Sequence, residues 1–168
     1  MVVGNISCLD LPWFGDNTIC FSRNTFFLGK KMKKLSWHKK RAWDMFSKYV
    51  RLRDALKTTG THTHLRCCTC GKLVEALTSQ HCADAGHFIP GRHNSVLFSE
   101  RGVNGQCKQC NVYRDGNSAK YLDFMLKEYG QKEVDELLEQ KNLTVKYTRE
   151  DYDEIREKYK GLLEIMKG

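Results

Sequence analysis

No part of this chain is long and apolar enough to be a membrane helix: the longest uninterrupted apolar run falls far short of roughly 18 residues. The N-terminus lacks a basic segment followed by a continuous apolar one, so no secretory signal is expected and metal thiolates are favoured over disulfides. Acidic residues are scarce in one region, where residues 30–66 hold two Asp against twelve Lys or Arg. What is present is a chain of 168 residues, enough for one domain with a real core. A soluble, cytoplasmic protein with no membrane partner is expected.

The net charge of +8 comes from that one acid-poor block. Residues 1–29 carry one Arg against two Asp, residues 67–118 five basic against four acidic side chains, and residues 119–168 ten against twelve. A concentrated basic block is the electrostatic footprint of a polyanion partner, because each neutralised phosphate releases condensed counterions. DNA is the partner expected.

The chain has eight cysteines, and four of them form two Cys-x-x-Cys pairs, Cys67 with Cys70 and Cys107 with Cys110. That spacing lets two thiolates reach one ion from a single turn, and Gly71 supplies the tight turn after the first pair. Two such pairs separated by 36 residues predict a shared structural zinc whose intervening segment has structure of its own. Cys68 would have to bind as Cys-x-Cys, which is less usual. Cys82 is expected to be buried rather than bound, and Cys8 and Cys20 are not expected to be ligands.

Residues 1–31 show no sustained period of 2 or 3.6 and are expected to be a poorly structured extension. From Ser36, a helix cap in this reading, Trp37, Ala42, Trp43, Phe46, Tyr49, Val50 and Leu56 recur near helical spacing with Lys and Arg between them. This predicts an amphipathic basic helix within 32–60, its aromatic stripe facing the core. Lys40, Arg41, Lys48 and Arg51 are its candidate DNA contacts. Between the knuckles, Ala83 to Ile89 reads as a strand entering the basic loop Arg92-His93-Asn94-Ser95, and Val96-Leu97-Phe98 as the returning strand. Arg92 and His93 are further candidate DNA contacts. A helix is expected after Cys110. Residues 119–168 read as a helical scaffold with a stop at Gly130 and a near-capping box at Thr148-x-x-Asp151. The fold class is therefore α+β: a small zinc-stapled ββα unit over 66–118, embedded in one mainly helical domain over 32–168.

Cys-x-x-Cys-Gly, Asp-Ala-Gly-His-Phe, Phe-x-Glu-Arg, Gln-Cys-x-x-Cys-Asn and Gly-Asn together resemble the phage NinG (Rap) recombination endonucleases, a branch of the HNH or His-Me finger nucleases. The resemblance implies hydrolysis of DNA phosphodiesters with one catalytic Mg²⁺ or Mn²⁺. His87 matches the general base, suited to that task by a pKa near working pH. Asp84 and Asn111 match the ligands of the cation, and Arg114 and Asn117 are candidates to grip phosphate. The resemblance also implies branched or recombination-intermediate DNA as substrate and a bacterial host cell as the setting. A homodimer suits symmetric cutting of two strands, yet no heptad or interface stripe marks one.

One position departs from the pattern. The middle Asn, which braces the loop orienting the general base, normally lies five residues before the second knuckle, where this chain has Gly102. Asn104 either takes that place through a shifted turn or stands where relatives have a His. The departure leaves a second reading open, a non-catalytic zinc-finger module that binds DNA.

Overall fold

The computed structural model describes residues 33–77, 82–91 and 93–167. The proposed extension, with Cys8 and Cys20, lies outside them, as does Arg92. Helix α1 spans Leu35–Thr59 and ends at Gly60, whose φ of 67° lets its N–H reach back to the Leu56 carbonyl at 3.0 Å. It starts one residue before Ser36, with Lys34 preceding it and no side-chain cap, so Ser36 is not the cap. No described helix is long and apolar enough to cross a membrane.

Two small antiparallel sheets follow. Strands β1 (His64–Arg66) and β2 (Leu73–Glu75) pair with Leu65 opposite Val74, and the first knuckle is the turn between them. The knuckle is closed by Cys67 N–H to the Lys72 carbonyl at 2.9 Å and Gly71 N–H to the Cys67 carbonyl at 2.8 Å. Strands β3 (Asp84–His87) and β4 (Val103–Gln106) pair with Asp84 opposite Gln106 and His87 opposite Val103. The returning strand is thus β4, not Val96-Leu97-Phe98. Asn94–Val96 form a 3₁₀ turn instead, and Val96 and Leu97 are 2% exposed. Their apolar character reflects burial under the helices rather than strand pairing.

The sheets are locked together at Gly105. Its carbonyl accepts from Cys68 N–H at 2.9 Å, its N–H donates to Asp54 Oδ2 at 2.6 Å, and a Cβ there would meet the Leu65 methyls at 2.9 and 3.0 Å. A one-turn helix α2 (Lys108–Asn111), a 3₁₀ turn Asp115–Asn117 and helix α3 (Ser118–Gln140) come next. Gly130, with φ 83° and ψ 170°, breaks α3 where a stop was expected. Helix α4 (Arg149–Ile165) opens with a capping box, Asp151 N–H to Thr148 Oγ1 at 3.1 Å and Thr148 N–H to Asp151 Oδ2 at 2.7 Å.

Helices cover both sides of the β3–β4 hairpin. Phe46 and Val50 of α1 pack with Val103 and with Tyr159 of α4, while Tyr121, Met125, Val134 and Leu137 of α3 pack with Ile89 and Val96. These apolar clusters hold the knuckles and the hairpin against α1. The α+β expectation holds.

Candidate functional site

The four cysteines of the two knuckles converge. Their sulfurs all lie within 4.8 Å of one another, and Cys70 and Cys107 Sγ are 3.7 Å apart. Four thiolates about 2.3 Å from one zinc ion stand about 3.8 Å from each other in a tetrahedron, so the spacing fits. The thiols are unequal as they stand. Burial opposes ionisation of Cys67, yet the Thr69 hydroxyl and the backbone amides of the knuckles outweigh it and bring that thiol down to about 7. Burial pushes Cys107 up to about 12, helped by the charge of Cys67. One dication would resolve this crowding, because it would favour the thiolate at every position. These cysteines can hold a metal, whereas Cys68 is directed into the interior and its thiol is pushed upward by burial. Cys82 is half-buried and accepts from Arg51 Nη1 at 3.1 Å.

Beside the cysteine cluster runs a groove between α1 and the hairpin. One hollow of about 310 Å³ is lined by Trp43, Ser47, Arg51, Asp84, Lys108 and Asn111, among others. A second, of about 270 Å³, shares Trp43, Ala85 and Asn111 and adds His87, Gly91 and Asp115. A third hollow, about 200 Å³ between Asp54, Lys57, Arg66, Cys68 and Phe124, contains none of the expected catalytic side chains apart from Asn104.

Within the groove, Asn111 Nδ2 donates to Asp84 Oδ2 at 3.1 Å and Lys108 Nζ stands 3.7 Å from Asp84 Oδ1. Asp84 and Asn111, 27 residues apart in the chain, are therefore brought into contact at one place in the groove. His87 Nε2 donates to the Leu97 carbonyl at 3.2 Å, and its ring lies against Trp43 with centroids 4.8 Å apart and planes 14° from parallel. Gly86 lies between these two ends of the groove. A Cβ there would meet Gln106 Oε1 at 2.0 Å, and the absence of one lets Gln106 lie flat and donate to the Gly116 carbonyl at 2.8 Å.

Asn104 lies elsewhere, 2% exposed and turned toward α3. Its Nδ2 donates to the Arg101 carbonyl at 2.9 Å, and its Oδ1 accepts from Tyr129 at 3.1 Å and Arg53 Nη2 at 3.2 Å. Arg53 also donates to the carbonyls of Glu100 and Val103. Burial disfavours its charge, but the neighbouring Asp54 outweighs this and raises its pKa further. Together these side chains tie down the turn containing Gly102, so Asn104 braces the loop and does not face the groove.

The expected DNA contacts are scattered. Lys40, Lys48, His93 and Arg114 are exposed, Arg41 stacks over Trp37 at 4.5 Å, and Asn117 directs Nδ2 to Cys110 Sγ at 3.6 Å. Arg51 is engaged by the carbonyls of Ser47, Ala76 and Ala83. Sequence reasoning missed Trp43 at the site, because helical spacing assigns it to the core stripe. Its one available signal is its place on the same helical face as Lys40, Ser47 and Arg51.

Residues 27–168 match the family described as Bacteriophage Lambda NinG protein. The chain belongs to the NinG family. Among NinG relatives, the ninG protein of Escherichia phage 933W is 28% identical over 138 residues, 82% of this chain and 62% of that protein. The ninG protein of Escherichia phage lambda is 28% identical over 138 residues (82% and 61%), and that of Salmonella phage P22 27% over 137 (81% and 61%). The chain thus spans about three fifths of the length of these NinG proteins. No solved structure matches it.

Proposed function

We propose that this NinG-family chain is a divalent-cation-dependent DNA endonuclease, acting on branched or recombination-intermediate DNA in phage recombination. Its site in this reading is an HNH or His-Me finger, with β3 and β4 as the strands, α2 as the helix and a Cys₄ zinc as the staple. The observation that carries the proposal is the convergence of His87, Asp84 and Asn111 on one groove, with Nε2 of His87 committed to the Leu97 carbonyl at 3.2 Å. A carbonyl only accepts, so Nε2 carries the ring proton and the lone pair resides on Nδ1. That tautomer is the one a general base needs.

In this mechanism His87 removes the proton of the attacking water as the water approaches phosphorus. Asp84 and Asn111 would hold Mg²⁺ or Mn²⁺, and their hard oxygens suit such ions. When bound, the cation supplies neutralisation of the phosphate and leaving oxygens. Lys40 and Lys48 on α1 and Arg114 beyond α2 add sequence-independent phosphate contacts. Asn104 and Arg53 brace the loop that carries the Leu97 carbonyl, a role compatible with glycine at 102.

Incubation of the purified protein with a labelled four-way junction and a matched linear duplex, with Mg²⁺ or Mn²⁺ and beside His87→Ala, tests this. Junction cleavage that disappears in the variant at unchanged zinc content is the expected result. Salt-sensitive binding without cleavage of either DNA would overturn it in favour of a DNA-binding module.

A further inference from the structure

We infer that Trp43 is a positioning residue for His87. The inference rests on His87 being the general base, and it assigns to α1, outside the hairpin, a part in setting that base. A histidine ring turns about a broad, roughly two-fold torsion, so being anchored in a strand does not fix its plane. The Nε2 hydrogen bond to Leu97 limits this freedom at one edge of the ring. A flat partner on the ring face limits its plane, and Trp43 is such a partner at 4.8 Å and 14°.

Trp43 is itself well held. Its ring packs against Phe46 with centroids 5.6 Å apart and against Phe98 at 6.4 Å, and Phe46 is fully buried. Phe98 is the residue after Leu97, so one indole touches both the imidazole and the segment that supplies its hydrogen-bond acceptor. The contact is therefore double: Trp43 sets the ring plane directly and sets the acceptor through Phe98. Trp43 also lines both hollows of the groove, between α1 and Asn111, so the base is held at the groove wall rather than in the interior. A branched aliphatic side chain could fill much of this volume but could not define a plane.

Two variants and one spectrum test the inference. Trp43→Leu keeps an apolar side chain, and Trp43→Phe keeps a ring. Junction cleavage by Trp43→Leu is expected to fall about 100-fold in kcat, the scale of a small misplacement of a reacting group, with KM little changed. Trp43→Phe is expected to recover most of that loss. In the wild-type NMR spectrum the His87 ring protons should be shifted upfield by the indole, whether or not the protein cuts DNA.

Wild-type kcat in a folded, zinc-replete Trp43→Leu protein would overturn the inference, as would wild-type His87 ring protons without an upfield shift. Should Trp43→Leu fail to fold, Trp43→Phe decides with the spectrum: full kcat after loss of the upfield shift overturns the inference, and a kcat that falls with the shift supports it. Absence of cleavage by wild type is a different failure. It removes the general base itself, and with it the nuclease reading on which the inference stands.

Discussion

Two polar clusters flank the β3–β4 hairpin, and they are made from the same kinds of side chain. On the α3 side, Asn104, Arg53 and Tyr129 close on one another, with Asn104 2% exposed and both ends of its amide engaged. On the α1 side, Asp84, Asn111 and Lys108 also bond one another, but they are only partly buried and border an open hollow. A closed cluster is strong because every partner is satisfied without water, and its removal leaves buried charge unpaired. An open one is weak in the folded chain and can exchange its internal bonds for a ligand. Similar polar groups therefore give rigidity on one face of the hairpin and an open, exchangeable set of side chains on the other.

The cysteine cluster supports both faces, so its loss should erase the comparison altogether. Cys110→Ala is expected to abolish metal binding by the cluster and to destabilise the chain by more than about 4 kcal/mol, read by metal content and denaturant unfolding. Breaking the closed cluster alone comes next. Asn104→Leu takes the acceptor from the Tyr129 hydroxyl and one acceptor from Arg53 and should cost about 3 kcal/mol, measured by the same unfolding. Gly86→Ala pushes Gln106 away from Gly116 and should cost about 2 kcal/mol. The open cluster should be nearly silent in stability: Asn111→Ala is expected to change it by less than about 1 kcal/mol. That variant should nonetheless lose divalent-dependent junction cleavage, and retained cleavage would count against its proposed place at the cation.

The smallest effect concerns pH at the edge of the closed cluster. Burial tends to raise the Glu100 carboxyl, but hydrogen bonds from Lys158, Tyr159 and Tyr49 outweigh it and hold it below its ordinary 4.5. A carboxylate depressed in the folded state contributes stability above 4.5, and that contribution is lost as pH falls through the lowered folded value. Glu100→Gln should therefore flatten the acid limb of a stability-versus-pH curve and leave other limbs less affected. An unchanged acid limb would show that this network contributes little.

Much of this architecture is legible in the residues. The aromatic and aliphatic spacing of α1, the Gly130 break, the Thr148 cap and the paired knuckles are local signals whose physics does not depend on distant partners. The return strand is not legible, because Val103-Asn104-Gly105-Gln106 lacks an apolar alternation. All four residues are buried, and they owe that burial to α1, α3 and β1. The apolar Val96-Leu97-Phe98 mimics a strand for the opposite reason, since its side chains enter the cores as a turn. Strand β1 is three residues long and too short to carry a period. At the site, spacing brings out the four cysteines that can hold a metal, and the resemblance to the NinG proteins singles out Asp84, His87 and Asn111. The stacking of Trp43 on His87 is set by the packing of α1 across the hairpin, which no local pattern encodes.

The separation of the two knuckles also orders events during synthesis. Cys67 and Cys70 leave the ribosome well before Cys107 and Cys110, with 36 residues between the pairs. At about 5–20 residues per second, the nascent chain has roughly 2–8 s in which half of its thiolate cage is exposed and the other half does not exist. The first knuckle can form its turn in that interval, but the groove cannot assemble until the last cysteine arrives. A chain stalled anywhere before residue 110 is consequently an incomplete chelator, whatever its earlier elements have formed.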